Sequence, residues 1–173
     1  IQPPNVFLDE RGRVCLAEFG TALLLAEPGS SPQKLVPGMP DYSSPELVFG
    51  DDPSEKSDQY ALAVMAYEML AGQRPFRGDT ARQVASQHAR AGIPFEAQVF
   101  DRFPALCDVL RRALAKQPAA RFESCTELVR ELQTAITAPA QPTARAPSGP
   151  ARRRTSPALI ALIVLALTVL GLA

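Results

Sequence analysis

The sequence predicts a mainly α-helical domain with a short β-hairpin at its front edge, followed by a disordered linker and a transmembrane helix. Three observations support this fold class. Two apolar runs near the start flank a turn sequence, four later segments have helical periodicity or caps, and the composition changes abruptly near residue 138. We therefore assign a globular domain to residues 1–137, a linker to 138–157 and a membrane segment to 158–173.

The first element is a predicted β-hairpin. Short apolar runs at residues 5–8 and 14–17 are joined by Asp9-Glu10-Arg11-Gly12, and a turn that ends in glycine suits a hairpin. Residues 20–46 show little periodicity and contain much Pro, Gly and Ser. They predict a long loop, and loops of this length inside a compact domain are usually functional.

Four helices are predicted after this loop. Residues 57–71 are apolar on most sides and stop at Gly72, which is typical of a buried helix. Residues 79–91 are polar and amphipathic, with a cap at Asp79 or Thr80.

The third and fourth helices carry the clearest apolar stripes. Residues 104–116 begin with a proline, which suits a first helical turn. Ser124 and Glu127 form a capping-box pattern for the last helix. The residues expected to face the core from these two helices are Leu106, Val109, Leu110, Ala113, Leu114, Leu128, Leu132 and Ile136.

The C-terminal part predicts a linker and a membrane anchor. Residues 138–157 consist mainly of Ala, Pro, Arg, Thr and Ser, which cannot bury enough apolar surface to become ordered. Residues 158–173 are apolar apart from Thr168 and would span roughly 24 Å as a helix, short of the ~30 Å hydrocarbon core. A buried core helix is disfavoured, because three arginines (152–154) precede the run and no domain follows it. We expect a truncated transmembrane helix, with these arginines and the globular domain on the cytoplasmic side.

Charge and cysteine content exclude several function classes. Lysines and arginines balance aspartates and glutamates, but every acidic residue lies before residue 138, so the front part is mildly acidic. This argues against nucleic-acid binding. The three cysteines, Cys15, Cys107 and Cys125, lack metal-ligand spacing and predict reduced, buried thiols in a cytosolic domain. The single His88 has no obvious catalytic partner and is expected to be a surface or partly buried structural residue.

Five motifs in register carry a family resemblance. They are Ile1-Gln2-Pro3-Pro4-Asn5, Leu16-Ala17-Glu18-Phe19-Gly20, Gly38-Met39-Pro40-Asp41-Tyr42-Ser43-Ser44-Pro45-Glu46, Ser57-Asp58-Gln59-Tyr60 and Leu114-Ala115-Lys116-Gln117-Pro118-Ala119-Ala120-Arg121-Phe122. In this order and spacing, the chain from Ile1 to about Ile136 resembles the C-terminal lobe of the Hanks-type (eukaryotic-like) bacterial serine/threonine protein kinases. The resemblance implies a partial α+β kinase fold that lacks the N-terminal lobe. It also places the catalytic-base aspartate of the family immediately before Ile1.

The resemblance implies ATP and Mg²⁺ (or Mn²⁺) as cofactors, with Asn5 and Glu18 at the positions of the metal ligands. Kinases of this family have Asp at position 18. Glu keeps the hard oxygen donor that Mg²⁺ prefers. Its extra methylene displaces the carboxylate by more than about an ångström, and a misplacement on that scale can cost ~100-fold in rate. The alternative for Asn5 is an ordinary turn residue before a strand.

Two further departures fall on positions with chemical roles in the family. Gln2 replaces a lysine that contacts the γ-phosphate, so it donates a hydrogen bond without supplying a charge. Met39 replaces a threonine that bridges the catalytic and substrate-binding loops, and a thioether is a weak acceptor and no donor. In the activation segment, Ser30 and Ser31 are weak candidates for phosphorylation, with ordinary loop composition as the favoured interpretation.

The family's scaffold positions are kept. Glu46 and Arg121 match a buried ion pair, the loss of which would cost ~3–5 kcal/mol. Asp58 matches a residue that accepts hydrogen bonds from the catalytic-loop backbone. The alternative for Asp58 is a first-turn acid that interacts with the helix dipole.

Two functions remain open from the sequence. The first is a membrane-anchored kinase that transfers the ATP γ-phosphate to Ser or Thr of protein substrates. The second is a pseudokinase that senses nucleotide or recruits scaffold partners, favoured by Gln2, Glu18 and Met39 together. A membrane-anchored interaction segment is a weaker third interpretation. A homodimer is compatible with each, and the substrate is not specified.

Overall fold

The computed structural model describes residues 1–17 and 40–139, and these form a mainly helical lobe with one two-stranded sheet. The predicted fold class is therefore confirmed for this part of the chain. Its strands and helices are β1 (Val6–Leu8), β2 (Val14–Leu16), α1 (Pro45–Phe49), α2 (Glu55–Ala71), α3 (Ala81–Arg90), α4 (Gln98–Arg102), α5 (Ala105–Ala113) and α6 (Cys125–Thr137). Short 3₁₀ turns occur at Pro3–Asn5, Pro40–Tyr42 and Pro118–Ala120.

The predicted hairpin is present. Strands β1 and β2 pair antiparallel, with Val6 opposite Leu16 and Leu8 opposite Val14. Gly12 adopts the left-handed conformation (φ 74°) that the turn requires and that glycine tolerates best. The Asp9 carboxylate accepts hydrogen bonds from the Arg13 backbone nitrogen at 2.8 Å, from Arg13 Nε at 2.7 Å and from the Arg11 backbone nitrogen at 2.9 Å, and these bonds lower its pKa. The turn is therefore closed by its own side chain.

Helix α2 is the centre of the lobe. Residues 59–67 are all buried, as the nearly continuous apolar pattern predicts. The helix begins at Glu55, two residues earlier than predicted, because Ser54 and Ser57 form its start: the Ser54 nitrogen donates to Ser57 Oγ at 3.2 Å. Helices α4, α5 and α6 pack against α2.

The other three predicted helices are also present, with shorter bounds for two of them. Thr80 caps α3, because its hydroxyl accepts from the Gln83 nitrogen at 3.2 Å. Ser124 caps α6 in the same way, accepting from the Glu127 nitrogen at 3.1 Å. The core contains all the predicted stripe residues except Val109, which is partly buried.

Two short helices were not predicted. Helices α1 and α4 have five residues each, which is too short for an apolar period to be recognised. Helix α1 begins at the end of the segment predicted to be loop. Its packing against α3 positions the segment that precedes it.

Two predictions about burial are wrong. Cys15 is exposed, and Cys107 and Cys125 are partly buried, although all three thiols are free as expected. Cys15 lies opposite Phe7 in the two-stranded sheet, and this face of the sheet is open in the described ranges. His88 is completely buried, because Val84, Ala85 and His88 form the inward face of the otherwise polar helix α3.

The predicted membrane anchor is not tested by the described residues. No helix within residues 1–17 and 40–139 is long and apolar enough to cross a bilayer. The predicted linker from residue 140 onward and the predicted transmembrane helix at 158–173 lie outside these ranges.

A buried ion pair joins the start of α1 to the chain just before α6. Arg121 Nη2 lies 2.7 Å from Glu46 Oε2, and Arg121 Nη1 lies 2.8 Å from Glu46 Oε1, so the guanidinium binds the carboxylate with both arms. The Arg121 side chain is fully buried and that of Glu46 is nearly so. The ion pair expected from the resemblance is therefore present.

Every polar hydrogen of Arg121 has an acceptor. Besides Glu46, the guanidinium donates to the carbonyl oxygens of Lys56 at 2.7 Å, Ala115 at 2.9 Å and Lys116 at 3.4 Å. The Ser57 hydroxyl donates to Glu46 Oε1 at 2.9 Å. Burial alone raises the pKa of Glu46, but these hydrogen bonds outweigh it and hold the pKa below its ordinary value.

Truncating a core phenylalanine is expected to destabilise the lobe far more than truncating an exposed one. Phe100 is 2% exposed and Phe49 is 65% exposed. Phe100→Ala should lower the free energy of unfolding by about 3–5 kcal/mol because it leaves a cavity. Phe49→Ala, the matched control, should change it by about 0.5 kcal/mol or less. Urea unfolding followed by circular dichroism measures both, and equal effects would contradict the described packing.

Removing the charge of Glu46 is expected to loosen the whole lobe. Glu46→Gln leaves the buried Arg121 guanidinium without its counter-ion and should cost about 3–5 kcal/mol in unfolding free energy. The control is Asp108→Asn, which breaks an exposed ion pair with Arg111 (2.5 Å) and should cost about 1 kcal/mol or less. Urea unfolding of both variants at pH 7 tests the difference.

Candidate functional site

The candidate metal ligand Asn5 ends a 3₁₀ turn at the start of the chain. The Asn5 nitrogen donates to the Gln2 carbonyl oxygen at 3.0 Å, which closes the turn. Gln2 Nε2 also lies 3.5 Å from Asn5 Oδ1, a long hydrogen bond between the two side chains. The structure therefore brings together two of the residues that the sequence predicts for the catalytic site.

The hairpin links Asn5 to the residue before Glu18. The Ala17 nitrogen donates to the Asn5 carbonyl oxygen at 2.8 Å, one step beyond the register of β1 and β2. This contact extends the ladder up to the boundary of the described range. Asn5 and Ala17 are thus held side by side by backbone hydrogen bonds alone.

The chemistry of Asn5 fits a hard cation. Its carboxamide oxygen is of the ligand type that Mg²⁺ accepts, usually together with carboxylates, phosphates and water. In the described part of the chain, no group of three or more His, Cys, Asp or Glu side chains could form a metal site by itself. The further ligand that the sequence predicts for a cation at Asn5 is Glu18, which lies outside the described residues.

Segment 40–46, which follows the predicted activation loop, is fixed at several points. The Asp41 carboxylate forms an ion pair with Arg74, and the Tyr42 hydroxyl donates to Glu68 Oε2 at 2.5 Å. Ser44 is completely buried and Glu46 is held by Arg121. The segment is therefore attached to α2, to the loop that follows α2, and to the chain before α6.

His88 adds a contact that the sequence analysis did not anticipate. Its Nε2 lies 3.0 Å from the Asp41 carbonyl oxygen and its Nδ1 lies 3.1 Å from the Tyr60 hydroxyl. Burial, with smaller contributions from the cations Lys116 and Arg74, lowers the pKa of His88 to about 3. The imidazole is consequently neutral at physiological pH.

Lys116 packs next to His88, at the C-terminal end of α3. Its Nζ donates to the His88 carbonyl oxygen at 2.7 Å, near the C-terminus of α3, and lies 4.6 Å from the centre of the Phe76 ring. Burial and then Arg121 lower the pKa of Lys116 to about 8. A cation at this helix end interacts favourably with the helix dipole.

Asp58 lies beside the start of the chain. Its Oδ1 is 3.4 Å from the nitrogen of Ile1, and its side chain is 62% exposed. This is a single long contact with the segment that resembles the catalytic loop. Asp58 also lies in the first turn of α2, so the helix-dipole interpretation applies as well.

The remaining predicted site residues lie outside the described ranges. They are Glu18, Ser30, Ser31 and Met39. Their predicted roles in metal binding, phosphorylation and loop contact stay predictions.

The residues that sequence reasoning missed are the partners of segment 40–46. Arg74 and Glu68 are distant in sequence and carry no local signal for their contacts. The burial of His88 did have a local signal in the sequence, because His88 lies four residues after Val84 on the apolar face of α3. A helical projection of α3 would have placed it in the core.

The sequence profile of the protein kinase domain family matches residues 1–132. This range covers the hairpin, segment 40–46 and nearly all of the helical lobe.

Three bacterial relatives are similar to the chain. Serine/threonine-protein kinase PknB of Mycolicibacterium smegmatis is 35% identical over 135 residues, which cover 76% of this chain and 22% of the relative. PrkC of Bacillus subtilis is 31% identical over 139 residues, 80% of this chain and 22% of the relative. PknL of Mycobacterium tuberculosis is 32% identical over 149 residues, 86% of this chain and 37% of the relative.

The chain thus spans much less than half the length of each of these relatives. The profile match nevertheless includes the residues that form the lobe and its buried ion pair. The chain belongs to the protein kinase domain family.

Proposed function

We propose that this chain is the C-terminal lobe of a membrane-anchored serine/threonine protein kinase, which transfers the γ-phosphate of ATP to hydroxyl groups of protein substrates. Relatives that are named serine/threonine-protein kinases support the activity. The observations that carry the proposal are that the hairpin holds Asn5 beside Ala17, the residue before Glu18, and that the buried Glu46–Arg121 pair holds the end of segment 40–46. Phosphoryl transfer depends on such positioning more than on covalent chemistry.

Asn5 and segment 40–46 each have a defined role in this proposal. Asn5 presents a carboxamide oxygen as a ligand for the metal ion. Bound Mg²⁺ would supply positive charge next to the transferred phosphoryl group. Segment 40–46 presents the backbone against which the substrate peptide binds. The N-terminal lobe, the catalytic aspartate and most contacts with ATP come from sequence before Ile1 in this proposal.

The proposed activity is low because the residues at the chemical positions differ from those of the family. Gln2 contributes a hydrogen bond to Asn5 and no positive charge. Glu18 keeps a carboxylate for the metal with a longer side chain. The described part of the lobe keeps its apolar core and its buried ion pair, so the proposed restriction falls on the chemical step.

Restoring the family residues is expected to raise the activity. In the full-length protein, Gln2→Lys combined with Glu18→Asp should increase autophosphorylation by about 10–100-fold, because charge and ligand placement are recovered. Incorporation of labelled phosphate from ATP with Mg²⁺ or Mn²⁺ measures this. Adding Asn5→Ala to the restored variant is the control and should remove the gain.

Three outcomes are informative. A wild-type rate equal to that of ordinary relatives would contradict the impairment. If the restored variant binds ATP but transfers no phosphate, the proposed kinase activity is contradicted. A nucleotide-sensing pseudokinase is then the function that remains. Gain of activity in the presence of Asn5→Ala would contradict the metal role of Asn5.

The membrane anchor is tested by truncation. Deleting residues 158–173 together with any sequence after them should move the protein from the membrane fraction to the supernatant, because the predicted hydrophobic segment is lost. A matched variant with Arg152, Arg153 and Arg154 changed to Ala should keep membrane attachment, since these residues set orientation instead. A truncated protein that stays in the membrane fraction would contradict the anchor.

A further inference from the structure

His88 is a fully buried imidazole that uses both ring nitrogens to join separate elements. It lies on α3, its Nδ1 meets the Tyr60 hydroxyl on α2, and its Nε2 meets the Asp41 carbonyl oxygen in segment 40–46. The distances are 3.1 and 3.0 Å. Tyr60 and His88 are both 0% exposed, so the hydrogen bond between them is shielded from water, and the bond to Asp41 is partly buried.

The partners fix the tautomer of this imidazole. A carbonyl oxygen only accepts, so Nε2 carries the hydrogen and donates to Asp41. In the neutral ring Nδ1 is then the acceptor, and the Tyr60 hydroxyl donates to it. Tyr60, His88 and Asp41 therefore form a directed hydrogen-bonded chain from α2 to segment 40–46.

Tyr60 also contacts the other anchor of the segment. The Arg121 guanidinium carbon lies 4.8 Å from the centre of the Tyr60 ring, while the same guanidinium holds Glu46. Asp41 and Glu46, near the two ends of segment 40–46, are thus both connected to the side chain of Tyr60. The Tyr60 hydroxyl is connected to Asp41 through His88. The face of the Tyr60 ring is connected to Glu46 through Arg121.

The charged groups around His88 disfavour its protonation. Lys116, after α5, donates to the His88 carbonyl oxygen, and Arg74, after α2, pairs with the Asp41 carboxylate. Arg121 lies beyond the Tyr60 ring and is neutralised by Glu46. Phe76 packs against the imidazole edge-on, with ring centres 4.9 Å apart. Protonation would add a cation to an apolar site that already borders Lys116.

We propose that His88 is a positioning residue that, through Tyr60 and Asp41, holds segment 40–46 in the conformation that receives the protein substrate. The substrate role rests on the proposed kinase function, whereas the hydrogen-bonded chain stands on geometry alone. His88 does not touch the reacting atoms. It acts on the segment through the Asp41 carbonyl group.

The test compares hydrogen–deuterium exchange in the full-length protein and three variants. Tyr60→Phe removes only the donor to Nδ1, His88→Leu removes both bonds, and His88→Gln can still donate to Asp41. Loss of a buried hydrogen bond should raise the exchange of peptides covering 40–48 about tenfold in Tyr60→Phe and His88→Leu. His88→Gln should restore part of the protection.

The matched control is Val84→Ala. Val84 is 4% exposed and lies on the same face of α3, but its side chain makes only apolar contacts. Exchange in Val84→Ala should rise within α3, and because α3 packs against α1 and the turn at Pro40–Tyr42, exchange in peptides covering 40–48 should rise clearly less than in His88→Leu. An equal rise in 40–48 would show a general weakening of α3 and would overturn the proposal.

A nitrogen-15 spectrum of the imidazole provides a readout that needs no activity. The His88 signals, assigned by their loss in His88→Gln, should show the neutral Nε2–H tautomer without change from pH 7 to pH 5. Titration of His88 near its ordinary pKa of about 6.5 would overturn the proposal.

Kinetics separate this proposal from the kinase function. In the Gln2→Lys/Glu18→Asp background, Tyr60→Phe should raise the KM for the protein substrate about tenfold, while the KM for ATP stays constant. Active enzyme with unchanged substrate KM and unchanged exchange would overturn the positioning role and leave the kinase function standing. An inactive protein in which the exchange differences persist would support the hydrogen-bonded chain and contradict the proposed function.

Discussion

The buried pair between Glu46 and Arg121 is the interaction on which the rest of the lobe depends. It joins residues 75 positions apart, and all five N–H groups of the arginine find acceptors among Glu46 and three backbone carbonyl groups. Removing one partner would leave an uncompensated charge in the core, which is more costly than any single surface contact. Because the Arg121 guanidinium also lies over the ring of Tyr60, this pair connects Glu46, at the end of segment 40–46, to the buried side of α2.

The two parts of the candidate site are positioned in different ways. Asn5 is placed by a 3₁₀ turn and by backbone pairing with Ala17, so its position follows from the hairpin. Segment 40–46 is placed by long-range side-chain contacts, including Asp41 with Arg74 and Tyr42 with Glu68. The two parts of the site therefore have different origins: one is set locally, the other by packing between distant elements. The departures predicted at Gln2 and Glu18 belong to the locally set part, so they leave the packing of segment 40–46 unaffected.

Most of the fold was predictable, and the reasons are local. Helices α2, α3, α5 and α6 carry apolar patterns or caps, and the hairpin carries a turn that ends in glycine. Each of these signals lies within a short stretch of sequence and can be recognised there. Helices α1 and α4 could not be recognised, because five residues contain too little of a helical period. The pair Glu46–Arg121 was predictable only through the family resemblance, since each residue alone reads as a surface charge. The exposure of Cys15 was not predictable, because a two-stranded sheet gives no indication of which face is covered.

The sequence by itself determined the helical lobe and the family, and it predicts departures from the family at Gln2, Glu18 and Met39. These follow from residue identity and spacing, which need no coordinates. Only the tertiary structure decided that His88 is a buried link between Tyr60 and Asp41 and that Tyr60 connects both anchors of segment 40–46. The physical reason is that a hydrogen bond requires two partners within about 3 Å. The chain brings Asp41, Tyr60 and His88 to that distance only when the fold places α2 and α3 around the turn at Pro40–Tyr42.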